Sequence, residues 1–138
     1  MTHGPPKGVM DYTFSGERAG CPYLFEAICR SRPRMHCFGH IHEGWGAKLV
    51  SWRQKTSQKP SHLTDIDYGS SELIDKLSTL TSKSFSVTSH CSEDPTQPKR
   101  GSQTLFVNAS IEGAGDLPIQ PPWLVDLELP LASELENQ

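Results

Sequence analysis

A chain of 138 residues with 35% hydrophobic content has the length of one ordinary domain, and its 11 glycines and 11 prolines give much of that length to loops. A formal net charge of −3 with no long Lys/Arg run carries no electrostatic footprint for nucleic acid or an anionic membrane, which excludes both as expected partners. No apolar stretch approaches the roughly 20 residues that span a bilayer, and the N-terminus lacks a signal peptide's charged and apolar regions, so the chain reads as soluble and cytoplasmic.

The chain opens with Thr2-His3-Gly4-Pro5-Pro6-Lys7-Gly8, whose glycines and prolines cannot continue a helix or a central strand, so the stretch reads as a rigid loop. From Cys21 to Arg30, the apolar residues Cys21, Leu24, Phe25, Ile28 and Cys29 follow the i, i+3, i+4, i+7, i+8 spacing of one helix face. Pro22 suits the first turn of that helix, Arg30, Arg32 and Arg34 complement the negative end of its dipole, and Pro33 stops it. Cys21, Cys29, Cys37 and Cys91 show neither Cys-x-x-Cys pairing nor the density of a small secreted scaffold, and read as reduced thiols.

Met35-His36-Cys37-Phe38 suits a short buried strand that ends abruptly in Gly39-His40-Ile41-His42-Glu43-Gly44-Trp45-Gly46. Binding residues gather where strands give way to loops, because the sheet fixes the strand end while the loop bends around a ligand. Neutral imidazoles in such a glycine-rich loop can coordinate a transition metal, although a Gly-His-x-His spacing alone is a weak signal. His36, one step back on the strand, reads as a satisfied buried imidazole. Trp45 is placed equally well at a substrate entrance or over the local core.

Ala47 to Trp52 reads as a second strand and Arg53 to Ser61 as a polar loop. Leu73, Ile74, Leu77 and Leu80 trace an amphipathic helix over Ser70 to Leu80, with Ser70 or Ser71 as its cap. Asp65 and Asp67 read as solvated charges, and His62 and His90 as exposed loop residues. Lys83 to Gln103, rich in Ser, Thr and Lys, reads as a mobile excursion. Thr104 to Asn108 and Trp123 to Leu127 read as strands, and the last residues fray. The organisation is one core, 1–52 and 104–129, with a polar and partly disordered insertion at 53–103 and a tail at 130–138.

Four stretches agree in order: Thr2-His3-Gly4-Pro5-Pro6, Gly39-His40-Ile41-His42, Phe106-Val107-Asn108-Ala109-Ser110, and Pro121-Pro122-Trp123-Leu124-Val125-Asp126-Leu127. Together they resemble the C-terminal portion of the calcineurin-like metallophosphoesterase family, in particular its metallophosphoesterase-domain-containing subgroup. The resemblance implies an α/β fold, the second half of a double β-sheet sandwich with flanking helices. It also implies hydrolysis of a small-molecule phosphomonoester or phosphodiester with two divalent transition metals, Mn, Fe or Zn. By the same resemblance His3 and His40 would serve one metal and His42 the other. The metals of such a pair lie roughly 3.5–4 Å apart and polarise the phosphoryl oxygens for in-line attack by water.

The family's Asp-x-His, Gly-Asp and Gly-Asn-His motifs, which would precede Thr2, do not occur there. Three histidines cannot complete a dimetal centre, and neither Asp11 nor Glu43 stands in for the bridging aspartate. The expectation is a truncated phosphoesterase, the alternative a non-catalytic metal-binding or interaction remnant.

Overall fold

A computed structural model describes residues 1–79, 84–112 and 120–129. The first regular element is the expected helix, α1 (Pro22–Ser31), which buries Phe25, Ile28 and Cys29. Cys21 leaves the apolar stripe and becomes the N-cap, its Sγ accepting the Leu24 N–H at 3.4 Å. Arg32 ends the helix in the left-handed region at φ 42°, its N–H returning to the Ile28 carbonyl at 2.7 Å.

The strands β1 (Met35–Phe38), β2 (Gly46–Trp52), β3 (Ile66–Lys76) and β5 (Gln103–Asn108) form one mixed sheet in the order β1-β5-β2-β3. The β1–β5 pair is parallel, and β2 runs antiparallel to both β5 and β3. Side chains alternate across the sheet, so Phe38, Val50, Trp52 and Phe106 meet α1 on one face, while Ala47, Leu49, Leu105 and Val107 point to the other. With both faces covered, the central strands read as near-continuous apolar runs, which is why they were legible in the sequence.

The second face is covered by a two-stranded parallel sheet of β4 (Ser86–His90) and β6 (Trp123–Leu127), whose Trp123 and Val125 pack on that cluster. The fold is thus α/β with mixed sheets and few helices, the only other α element being the single turn α2 (His62–Asp65) among the described residues. No helix among these residues is long and apolar enough to cross a membrane.

Two expectations are corrected. The segment expected as a helix over Ser70 to Leu80 is strand β3 through Lys76, followed by a 3-10 turn at Leu77–Thr79, with Leu80 outside the described residues. Its helical spacing of leucines is outweighed by pairing along β2, where Ile74 packs on the second core cluster and Leu73 stays half exposed. The expected mobile excursion contains β4, whose Ser86, Thr88 and His90 alternate inward while Val87 stays exposed. Residues 53–103 therefore supply both β3 and β4. The tail at 130–138 lies outside the described residues.

Candidate functional site

The N-terminal loop lies beside the end of β1. Thr2 donates its N–H to the Cys37 carbonyl at 3.1 Å, and Gly39 donates to the His3 carbonyl at 3.0 Å. These two bonds lace the loop carrying His3 to the strand end that launches His40. His40 then takes φ 71°, a left-handed conformation that costs a side-chain-bearing residue strain. The result is a meeting of residues far apart in sequence: His3 Nε2 lies 3.1 Å from His40 Nδ1, with ring centroids 4.6 Å apart and planes tilted by 49°. One nitrogen carries the shared proton and the other accepts it. Both rings are exposed.

His42 starts the 3-10 turn His42–Gly44 and does not join that pair in a three-ligand cluster. Its Nε2 is 3.9 Å from the exposed carboxylate of Glu112, beyond hydrogen-bond reach. Among the described residues no group of three or more His, Cys, Asp or Glu is gathered closely enough to hold a metal ion. The structure thus unites His3 with His40 and leaves His42 outside.

The chemistry of the donor pair can be tested against a metal. With metal–nitrogen bonds of about 2.0–2.1 Å, two imidazole nitrogens on one tetrahedral or octahedral ion stand roughly 2.9–3.4 Å apart. The 3.1 Å between His3 and His40 falls in that window, so the pair has the nitrogen separation that two ligands of one ion have.

The rest of the histidine loop is built by residues that sequence reasoning did not assign to the site. Asn108, fully buried at the end of β5, donates from Nδ2 to the Ile41 carbonyl at 2.8 Å and accepts the Ser110 N–H at 3.1 Å. Gln120 donates to the His42 carbonyl at 3.0 Å. A buried amide that satisfies a loop's backbone has no signature in composition or periodicity. Gly44 admits no side chain, because a Cβ there would come 2.1 Å from the Met10 carbonyl oxygen. Trp45 is core, fully buried, with Nε1 donating to the Pro121 carbonyl at 3.0 Å and its ring stacked on Trp123 at 4.9 Å. A largely apolar cleft of about 190 Å³ opens beside it, lined by Met10, Tyr12, Glu43, Gly44, Leu73 and Lys76 among others.

The acidic residues near the motifs have structural work. Asp11 is fully buried and accepts from Arg18 Nη1 at 2.5 Å and from the Gly8 and Gly20 N–H groups at 2.9 and 3.2 Å. Glu43 caps the Phe14 N–H at 2.8 Å. Asp65, expected to be solvated, is fully buried. Burial pushes its carboxyl up, but N–H and O–H donors from Ser57, Thr64 and Ser61 outweigh that and hold it below the ordinary carboxylate range. Asp67 is partly exposed and closes a turn onto the Gly69 N–H and the Ser70 hydroxyl.

The other histidines divide. His36 is buried as expected, and that burial, with the positive chain terminus behind it, pushes its ring down to about 4. His90, expected in an exposed loop, is fully buried on β4, held by Thr88 Oγ1 and the Thr96 carbonyl, each at 2.8 Å. His62 is half-buried at the start of α2, edge-on to Phe25, and burial lowers its affinity for a proton. All four cysteines are free thiols, and burial followed by the Asp65 charge pushes Cys29 up to about 11, which keeps it protonated and inert at neutral pH.

Comparison with known proteins adds a partial relationship. Over 48 residues, 33% of its length, the chain is 48% identical to metallophosphoesterase domain-containing protein 1 of Homo sapiens, the match covering 15% of that protein. Over 47 residues it is 49% identical to a UPF0046 protein of Caenorhabditis elegans, 33% of this chain and 12% of the relative. A relative with a different name, probable rhamnogalacturonate lyase C of Emericella nidulans, is 44% identical over 54 residues, 38% of this chain and 5% of that protein. The chain therefore spans well under a fifth of the length of these relatives, and its likeness to metallophosphoesterase-domain proteins is carried by about a third of its residues. No family model matches the chain, and no solved structure matches it.

Proposed function

We propose that the chain carries part of the metal site of a metal-dependent phosphoesterase acting on a small phosphomonoester or phosphodiester. His3 and His40 hold one divalent transition metal, Mn, Fe or Zn, and His42 belongs to the second. The observation that carries this reading is the 3.1 Å approach of His3 Nε2 to His40 Nδ1 across 37 residues of sequence, on two loops laced to one strand end. The relationship to metallophosphoesterase domain-containing protein 1 supports the same reading. On this view the sheets are the second half of a metallophosphoesterase-type sandwich.

When bound, the metals supply Lewis-acid polarisation of the phosphoryl group and activation of water. The chain's own residues do the positioning: Asn108 and Gln120 tie down the carbonyls of Ile41 and His42, and Gly44 allows the loop to press against Met10. Protons compete for the imidazole lone pairs that would bind metal, so affinity should fall in acid.

Titration of Mn(II) and Zn(II) into the chain, calorimetrically, tests the ligands. Binding should be lost when His3, His40 and His42 are all replaced by alanine, and unchanged binding would remove the assignment. A second reading, a metal-binding module without hydrolysis, is favoured by the lack of a third ligand near the pair among the described residues. Metal binding with no turnover of p-nitrophenyl phosphate or bis(p-nitrophenyl) phosphate in manganese would select it.

A further inference from the structure

His36 takes no part in the site described above, yet it reaches the loop that carries His3. Its ring is buried on β1, fixed between Phe38 and Phe106 at centroid distances of 5.9 and 6.0 Å. Its Nε2 lies 3.0 Å from Thr2 Oγ1, and that hydroxyl donates to the Gly4 carbonyl at 2.8 Å. A hydroxyl has one proton, and here it goes to Gly4. Only lone pairs then remain for the imidazole, so Nε2 is the protonated nitrogen and His36 is the donor. The relay spans His3 from both sides, since Thr2 precedes it and Gly4 follows it.

We propose that His36 is a positioning residue for the histidine pair: through the Thr2 hydroxyl it fixes the turn on which His3 stands, and so the place of His3 Nε2 opposite His40 Nδ1. The backbone bonds from Thr2 to Cys37 and from Gly39 to His3 set the path of the loop. With the Cys21 N–H on the Pro5 carbonyl at 3.0 Å they anchor the loop on both sides of Gly4, and the relay ties the Gly4 carbonyl between those anchors. The effect on metal affinity rests on the reading of His3 and His40 as ligands of one ion; the effect on the pair's geometry does not.

The test uses the nuclear Overhauser contact between the His3 and His40 rings in metal-free protein, together with zinc affinity. His36→Leu and Thr2→Val break the relay; His36→Gln and Thr2→Ser keep a donor and a hydroxyl. The first two should lose the contact and weaken zinc binding about tenfold or more, as loss of an outer partner of a metal ligand does. The conservative pair should retain both. If His36→Leu does not fold, Thr2→Val carries the test, because Thr2 is only partly buried. A contact that persists in the broken-relay variants, or one lost equally in the conservative ones, overturns the proposal. Zinc affinity unchanged in His3→Ala would instead overturn the ligand reading, with the ring contact still deciding whether His36 positions the pair.

Discussion

The two sheets are built to different standards. In the four-stranded sheet, Val50, Leu105 and Phe106 are wholly shielded and both faces are covered. In the β4–β6 pair, among the described residues, only the inner face is covered. Val87 and Leu124, opposite each other in register, are 53% and 55% exposed on the outer one. Directly across that register, Ser86 Oγ and Trp123 Nε1 are buried without a hydrogen-bond partner among the described residues. Parallel pairing normally sits with both faces covered, so the smaller sheet is the weaker partner, joined to the rest through the Trp45–Trp123 stack. The lesson is one of placement: His3 and His40 stand at the end of β1, in the sheet whose inner strands are covered on both faces, where a strand end stays put.

The comparison can be broken most forcefully at Phe106, which touches Phe38, Trp52 and His36. Phe106→Ala should destabilise the chain by about 3–5 kcal/mol in urea unfolding, the cost of a large buried cavity. A loss under 1 kcal/mol would mean that the first sheet is no better packed than the second.

A smaller effect should come from acid. Folded His36 protonates at about 4, against 6.5 for an ordinary histidine. Between these values the unfolded chain binds more protons than the folded one, so stability present above pH 6.5 is lost as pH falls towards about 4 and levels off below it. The loss should reach at most about 3 kcal/mol. Urea midpoints at pH 7 and pH 4.5 measure it, and His36→Gln should flatten the difference.

The smallest change is expected on the outer face of the β4–β6 pair. Val87→Thr, at a half-exposed strand position, should shift stability by less than about 0.5 kcal/mol. A loss of several times that size, seen by thermal unfolding, would mean that this face is covered in the folded protein.

Legibility followed burial. β1, β2, β5 and β6 and helix α1 announced themselves because their apolar spacing answers to a core on one or both faces. β3 was hidden by leucines at helical spacing, since an edge strand draws its order from pairing with β2 rather than from its own pattern. β4 was hidden by chemistry, because serine, threonine and histidine fill its inward positions and look like loop. The site was legible at the level of residue type. The resemblance grouped His3 with His40 and set His42 apart; what the sequence did not show is how His3 and His40 meet, which depends on the His40 backbone turn and on the lacing at Thr2 and Gly39. Asp65 misled for the opposite reason: the donors that make its burial tolerable come from a polar loop that gives no hint of enclosing anything.

The positive φ at His40 has a consequence for how the chain would change under selection. A left-handed backbone costs a side-chain-bearing residue about 1 kcal/mol or more, and glycine would remove that strain. Stability and chemistry therefore pull in opposite directions at this one position. A population of variants screened only for heat resistance, with no metal present, would drift towards glycine at 40 and discard the ring. If His40 binds metal as proposed, a population screened for metal capture would keep the histidine and its strained backbone together.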